Sequence, residues 1–205
     1  MLINLEGYPV SITKLTLDDL KILQDYYLPL ILNGEVDDEK GEESRISKNA
    51  SERWCDPTFF KKLNEIISPA PYIQSFIDGF MFSFPLTVKI DSWYNVHNKY
   101  DHQQLHNHIT TNVPAFSSVL ILKQPSLSAG QFVFRTPNFS NHLKYLELDP
   151  LDQYPNIFKP PMEEGTLIIF PSCLEHYVFY NQTDESRVVF SSNIVVKRED
   201  PLYGK

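Results

Sequence analysis

His106 and His108, in the stretch Gln103-Gln104-Leu105-His106-Asn107-His108, give the chain its strongest chemical signal. On an extended segment, residues two apart project to the same side, so both imidazoles can reach one ion. Each would offer a neutral nitrogen at about 2.1 Å from a transition metal. The spacing alone is weak, because His97 and His102 lie nearby and a histidine-rich loop looks the same. Further along, His176 follows the apolar run Thr166-Leu167-Ile168-Ile169-Phe170 and the turn at Pro171-Ser172. Arg187 then begins another apolar strand. Alternation puts Arg187, Val189, Ser191 and Asn193 on one face and Val188, Phe190, Ser192, Ile194 and Val196 on the other. The second face packs; the first turns a guanidinium towards a cavity. A buried arginine is costly unless paired, and its planar fork suits a carboxylate held by two hydrogen bonds. Three imidazoles and one arginine therefore predict a metal site with an anion clamp.

Those four side chains need a scaffold, and the hydrophobic pattern supplies one. Asn4 to Ile12 reads as a short strand. Thr16 looks like an N-cap, with Asp18 and Asp19 in the first turn where they suit the positive helix end. Leu20, Leu23, Tyr27 and Leu28 keep helical spacing, and Pro29 is expected to stop or kink that helix. The acidic stretch from Gly34 to Asn49 reads as a solvated loop. Asp56-Pro57 signals a second helix carrying Phe59, Phe60, Leu63, Ile66 and Ile67 and ended by Pro69 and Pro71. A third covers Tyr72 to Phe80. From Phe84 the period changes to strands: Leu86 to Val96, Phe116 to Lys123, Gln131 to Arg135, Thr166 to Phe170, Leu174 to Tyr180 and Arg187 to Val196. Pro137 to Pro161 is a proline-rich loop. The expected architecture is mainly β with N-terminal helices: residues 1–83 mostly helical, packing on a jelly roll over 84–197, all in one domain 1–205.

The bulk numbers exclude several classes of partner. At 205 residues the chain can bury one core, and its 13% aromatic content favours pleated, half-buried surfaces. A net charge of -8 argues against non-specific nucleic-acid binding, which needs clustered Lys and Arg. Cys55 and Cys173 are in no C-x-x-C arrangement and read as two free thiols in a reducing compartment. No basic-then-apolar leader and no apolar run of about 18 residues is visible, so a cytoplasmic location away from membranes is expected.

Taken in order, six stretches resemble the iron(II)- and 2-oxoglutarate-dependent oxygenases, in particular a small bacterial and phage branch. They are Ser92-Trp93-Tyr94-Asn95-Val96, the Gln103–His108 segment, Ser117-Ser118-Val119-Leu120-Ile121-Leu122, Gly165-Thr166-Leu167-Ile168-Ile169-Phe170-Pro171-Ser172, His176, and Arg187 leading into Phe190-Ser191-Ser192-Asn193. The resemblance implies a cupin-like double-stranded β-helix with Fe(II) in its mouth and 2-oxoglutarate and dioxygen as co-substrates. By carry-over His106 is the first ligand, His176 the distal ligand and Arg187 the clamp on the distal carboxylate of 2-oxoglutarate. Asn95 and Ser191 are candidates to hydrogen-bond the co-substrate. The chain departs from the pattern at His108, where most of the superfamily has Asp or Glu, although the related branch also carries His-x-His. Asp101 is an alternative carboxylate ligand, at a poorly fitting spacing. Ser118, Ile121 and Ile109 stand where Gly, Tyr and Pro are expected. Hydroxylation of a small molecule or peptidyl side chain is the implied activity. A non-catalytic jelly roll with a structural or assembly role is the competing expectation, and a cupin-like three-histidine metalloenzyme without 2-oxoglutarate a third. Homo-oligomer formation stays open.

Overall fold

A computed structural model describes residues 1–5, 7–33, 51–53, 65, 72–80, 86–109, 114–136 and 157–199. Its strands are β1 (Leu2–Leu5), β2 (Tyr8–Lys14), β3 (Ser51–Arg53), β4 (Leu86–His97), β5 (Gln103–His106), β6 (Phe116–Lys123), β7 (Phe132–Arg135), β8 (Ile157–Phe158), β9 (Thr166–Pro171), β10 (His176–Val178) and β11 (Arg187–Arg198). Its helices are α1 (Leu17–Ile22), α2 (Leu28–Leu32) and α3 (Ile73–Asp78). Two antiparallel sheets form a double-stranded β-helix. The larger runs β1-β2-β9-β6-β11-β4-β3 and the smaller β5-β10-β7-β8.

The central strands are nearly all apolar because both of their faces are buried. On β6, β9 and β11 the residues Leu120, Leu122, Leu167, Ile169, Val188 and Phe190 pack outwards against Leu23, Tyr27 and Ile31 and against Ile73, Phe76 and Ile77 of α3. Their neighbours Val119, Ile121, Ile168, Phe170 and Val189 point the other way, into a second core closed by Phe132, Phe134 and Val178 of the smaller sheet. The alternation read from Arg187 onwards is therefore physical. One face meets the helices and the other lines the roll. Each large apolar side chain buried in either core contributes about 1.5–3 kcal/mol.

Two N-terminal expectations change in detail. The single strand expected over Asn4 to Ile12 is a hairpin, with Leu5 paired to Tyr8. β2 then joins the large sheet by pairing Ser11 to Lys14 with β9. Pro9 lies on the part of β2 that pairs only with β1, where a missing N–H does no harm to the inner ladder. Thr16 does cap α1, accepting a hydrogen bond from Asp19 N–H. Pro29 does not end the helix. A π-helical turn over Leu23–Tyr27 joins α1 to α2, with Leu28 N–H reaching the carbonyl of Leu23. The wider turn takes up the proline, which lacks the donor a regular helix would need there. The expected acidic loop over Gly34 to Asn49, the helix after Asp56 except residue 65, and most of the proline-rich loop lie outside the described residues, as does Cys55; Cys173 is a free thiol. No helix among the described residues is long and apolar enough to cross a membrane.

Turns decide where strands end near the site. Gly130 has φ +86°, and a Cβ there would sit 2.7 Å from the carbonyl oxygen of Phe179. That close backbone approach seats β7 beside β10, and the N–H of Phe179, just after β10, donates to the carbonyl of Gln131.

Candidate metal and anion site

The β5–β10 ladder brings His106 and His176 together as directly opposed partners. Opposed residues on an antiparallel pair share a face, and the ring centroids lie 4.3 Å apart. His176 sits deepest, 2% exposed, with the rings of Phe132 and Phe170 5.2 and 5.0 Å away. His108 lies just beyond β5. Its backbone N–H donates to the carbonyl of Ser172 at 2.9 Å, tying it to the turn that precedes His176. Its ring stacks on His176 at 5.1 Å and lies 5.8 Å from Trp93. One ligand atom from each of the three histidines lies within 4.8 Å of the others.

Hydrogen bonds fix the tautomers that such a group needs. His106 Nδ1 is 2.7 Å from the carbonyl of Gln104, and His176 Nδ1 is 2.9 Å from that of Leu174. A carbonyl only accepts, so each Nδ1 carries the proton and each Nε2 presents a lone pair. The Nε2 atoms of His108 and His176 are 3.2 Å apart. A single proton between them holds the pair, and a cation taking its place would use both lone pairs. Burial pushes all three imidazoles below the usual histidine range. His106 is lowered by burial; His108 is lowered to about 4, first by burial and then by His106; and His176 falls well below 6.5 by burial and by both neighbours. Neutral imidazoles with fixed tautomers suit iron(II) and the other divalent ions of the first transition row.

Asp101 does not join this group. Its Oδ2 accepts from Asn98 N–H at 2.8 Å, so the carboxylate closes the turn after β4. Burial raises its pKa, the backbone hydrogen bond opposing that shift.

Arg187 opens β11 on the interior face and is fully buried. Its Nε donates to Gln124 Oε1 at 2.9 Å and its Nη1 approaches His97 Nδ1 at 3.4 Å, while Nη2 has no hydrogen-bond partner among the described residues. Both partners are neutral. Desolvation lowers the guanidinium pKa to about 9, so burial strains the charge without removing it. A cation with one donor idle, out of water and facing no carboxylate among its partners, fits an anionic ligand. Asn95 is directly opposite Val189, between Arg187 and Ser191, and donates through Nδ2 to Ser191 Oγ at 3.1 Å. Its Oδ1 is buried without a partner among the described residues. A hydroxyl can give or take a hydrogen bond, so turning the amide over keeps the Ser191 contact and presents Nδ2 instead.

The positions chosen from sequence thus fall into two groups, the three histidines and the Arg187, Asn95 and Ser191 set along β4 and β11. Two neighbours of Arg187 were missed, Gln124 and His97. Gln124 at the end of β6 carries no sequence signal. His97 does: it is two residues after Asn95 on the same strand, so it shares that face.

A family model described as "Putative 2OG-Fe(II) oxygenase" matches residues 91–193. No curated protein matches the sequence. Among solved structures, a prolyl-4-hydroxylase from Pseudomonas putida superposes with a TM-score of 0.62 at 13% identity, over 94% of this chain and 95% of that one. SnoN, a non-haem α-ketoglutarate-dependent epimerase of nogalamycin biosynthesis, in complex with Fe3+ and α-ketoglutarate, gives a TM-score of 0.64 at 14% identity, over 95% of this chain and 82% of that one. A prolyl hydroxylase from Trichoplax adhaerens, bound to a peptide of hypoxia inducible factor, gives 0.61 at 12% identity, over 91% and 83%. At these identities the likeness is one of fold.

Proposed function

The chain belongs to the 2OG-Fe(II) oxygenase family, and from that premise we propose that it is a hydroxylase in which His106, His108 and His176 hold iron(II) and Arg187 anchors 2-oxoglutarate. Iron(II) with 2-oxoglutarate couples decarboxylation of the keto acid, giving succinate and carbon dioxide, to insertion of one oxygen atom of dioxygen into a substrate C–H bond. The protein's contribution is position and environment. Backbone carbonyls of Gln104 and Leu174 keep two imidazoles turned with Nε2 inward. Phe132, Phe134 and Phe170 exclude water behind His176. Gln124 holds the Arg187 guanidinium by Nε and leaves Nη2 for the distal carboxylate. Asn95 and Ser191, on the same face, steady the co-substrate with their amide and hydroxyl. The carrying observation is the fully buried Arg187, with no carboxylate partner among the described residues, in a roll whose mouth gathers three neutral imidazoles.

A peptidyl side chain is the substrate class we favour. Two solved structures with this fold are prolyl hydroxylases, one of them bound to a peptide. Residues 1–205 act as one domain in this reading, with β1, β2 and β3 extending the sheet of the roll. A purely structural roll would gain nothing from a buried guanidinium with an idle donor. The experiment is incubation of the full chain with iron(II), 2-oxoglutarate and proline-containing peptides under 18O2. One 18O atom in a peptide product supports a peptidyl hydroxylase. Label found only in succinate, with every peptide unmodified, contradicts that substrate class.

A further inference from the structure

Arg187 and His97 are directly opposed across the β11–β4 ladder, and both are fully buried. Nη1 of Arg187 lies 3.4 Å from Nδ1 of His97. A guanidinium has donors only, so His97 Nδ1 must accept. The proton of a neutral His97 is then on Nε2. Burial, with the charges of Arg187 and His102 adding to it, keeps that imidazole neutral. Among the described residues, Nε2 of His97 is itself buried and without a hydrogen-bond partner, as is Nη2 of Arg187. One contacting pair of side chains therefore carries two idle N–H donors, both removed from water. Native interiors rarely leave such donors unpaired, and each is free to donate to an oxygen of an anionic ligand.

We propose that His97, through Nε2–H, is a second hydrogen-bond donor to the carboxylate that Arg187 binds; the inference rests on Arg187 being the co-substrate clamp. His97 would then help the roll to prefer a 2-oxo diacid over a 2-oxo monoacid. The competing role is structural, in which His97 only accepts from Arg187 and holds it still.

Asparagine and glutamine separate the two roles. An Asn amide reaches the place of Nδ1 and can keep the Arg187 contact without the outer donor. A Gln amide reaches the place of Nε2. The test is calorimetric titration of 2-oxoglutarate and of 2-oxobutyrate, which lacks the distal carboxylate, into the Zn2+-loaded full chain. His97→Asn is expected to weaken 2-oxoglutarate by about tenfold, His97→Gln by much less, and neither to change 2-oxobutyrate. Wild-type affinity in His97→Asn, alongside loss of binding in Arg187→Gln, overturns the role of His97 alone. Wild-type affinity in Arg187→Gln overturns the clamp beneath it. Should the His97 variants not fold, 15N spectra of the wild-type imidazole decide. A protonated Nε2 that shifts on adding 2-oxoglutarate, with Nδ1 unmoved, supports the inference; a protonated Nδ1, or no shift, overturns it.

Discussion

His176 Nε2 lies 3.2 Å from His108 Nε2, yet the two residues come from different kinds of structure. His176 is locked in a ladder opposite His106, while His108 is outside any strand and tied to Ser172 by one backbone hydrogen bond. A ligand set built this way has two rigid members and one adjustable one. His176→Ala should therefore reduce divalent-metal affinity well beyond the ~10–100-fold that follows loss of an outer hydrogen-bond partner. His108→Asp should retain binding, because a carboxylate at an adjustable position can still reach the ion. Titration of Zn2+ or anaerobic iron(II) into each variant checks this; equal affinity in all three proteins would remove the site.

Arg187→Met separates function from stability. Replacing a buried charge by an apolar side chain of similar length is often neutral or stabilising, here by on the order of 1 kcal/mol in the ligand-free protein. The same variant should lose the thermal stabilisation that 2-oxoglutarate gives the Zn2+-loaded wild type. Urea denaturation of the free protein and thermal shifts of the loaded one measure the two effects separately.

Acid should weaken the metal-free fold over a defined window. Four imidazoles, those of His97 and His176 buried and those of His106 and His108 half-buried, are held below the ordinary histidine range, His108 to about 4. In the unfolded chain they take up protons near pH 6.5, so between there and about pH 4 the unfolded state binds more protons than the folded one. Their stabilisation is full above pH 6.5 and is lost as pH falls through that window. Urea midpoints between pH 7.5 and 4.5 should decline, and His108→Asn should flatten part of the decline.

Asp101→Asn should leave metal affinity unchanged. Asp101 accepts from Asn98 N–H and is no part of the three-histidine group. The Asn amide oxygen can still accept from Asn98 N–H, and burial already disfavours the charge, so the denaturation midpoint should change little. A loss of metal binding at unchanged stability would return Asp101 to the ligand set.

The roll and its two clusters were legible because strands have a period of two. Once Arg187 begins an apolar strand, Val189 and Ser191 must share its face, and a run such as Val119 to Leu122 in β6 is apolar on both faces because both are covered. The meeting of His106 with His176 was not legible by the same means. It depends on which strands pair and in what register, and no pattern along a single strand carries that. His97 is the opposite case. Its strand parity with Asn95 was visible, but three histidines close behind it suggested a loop. Pro29 shows a local rule overridden: the π turn before it lets the helix run on, and the apolar Leu23, Tyr27 and Ile31 gain their burial against the sheet.

Iron-dependent conversion of 2-oxoglutarate to succinate, followed without any added substrate, tests the central claim most directly. The wild-type chain is predicted to form succinate only with iron(II) and dioxygen, and His176→Ala and Arg187→Met to form none above the protein-free background. Succinate formation undiminished in both variants, or absent from an iron-loaded wild type that binds 2-oxoglutarate, would contradict it.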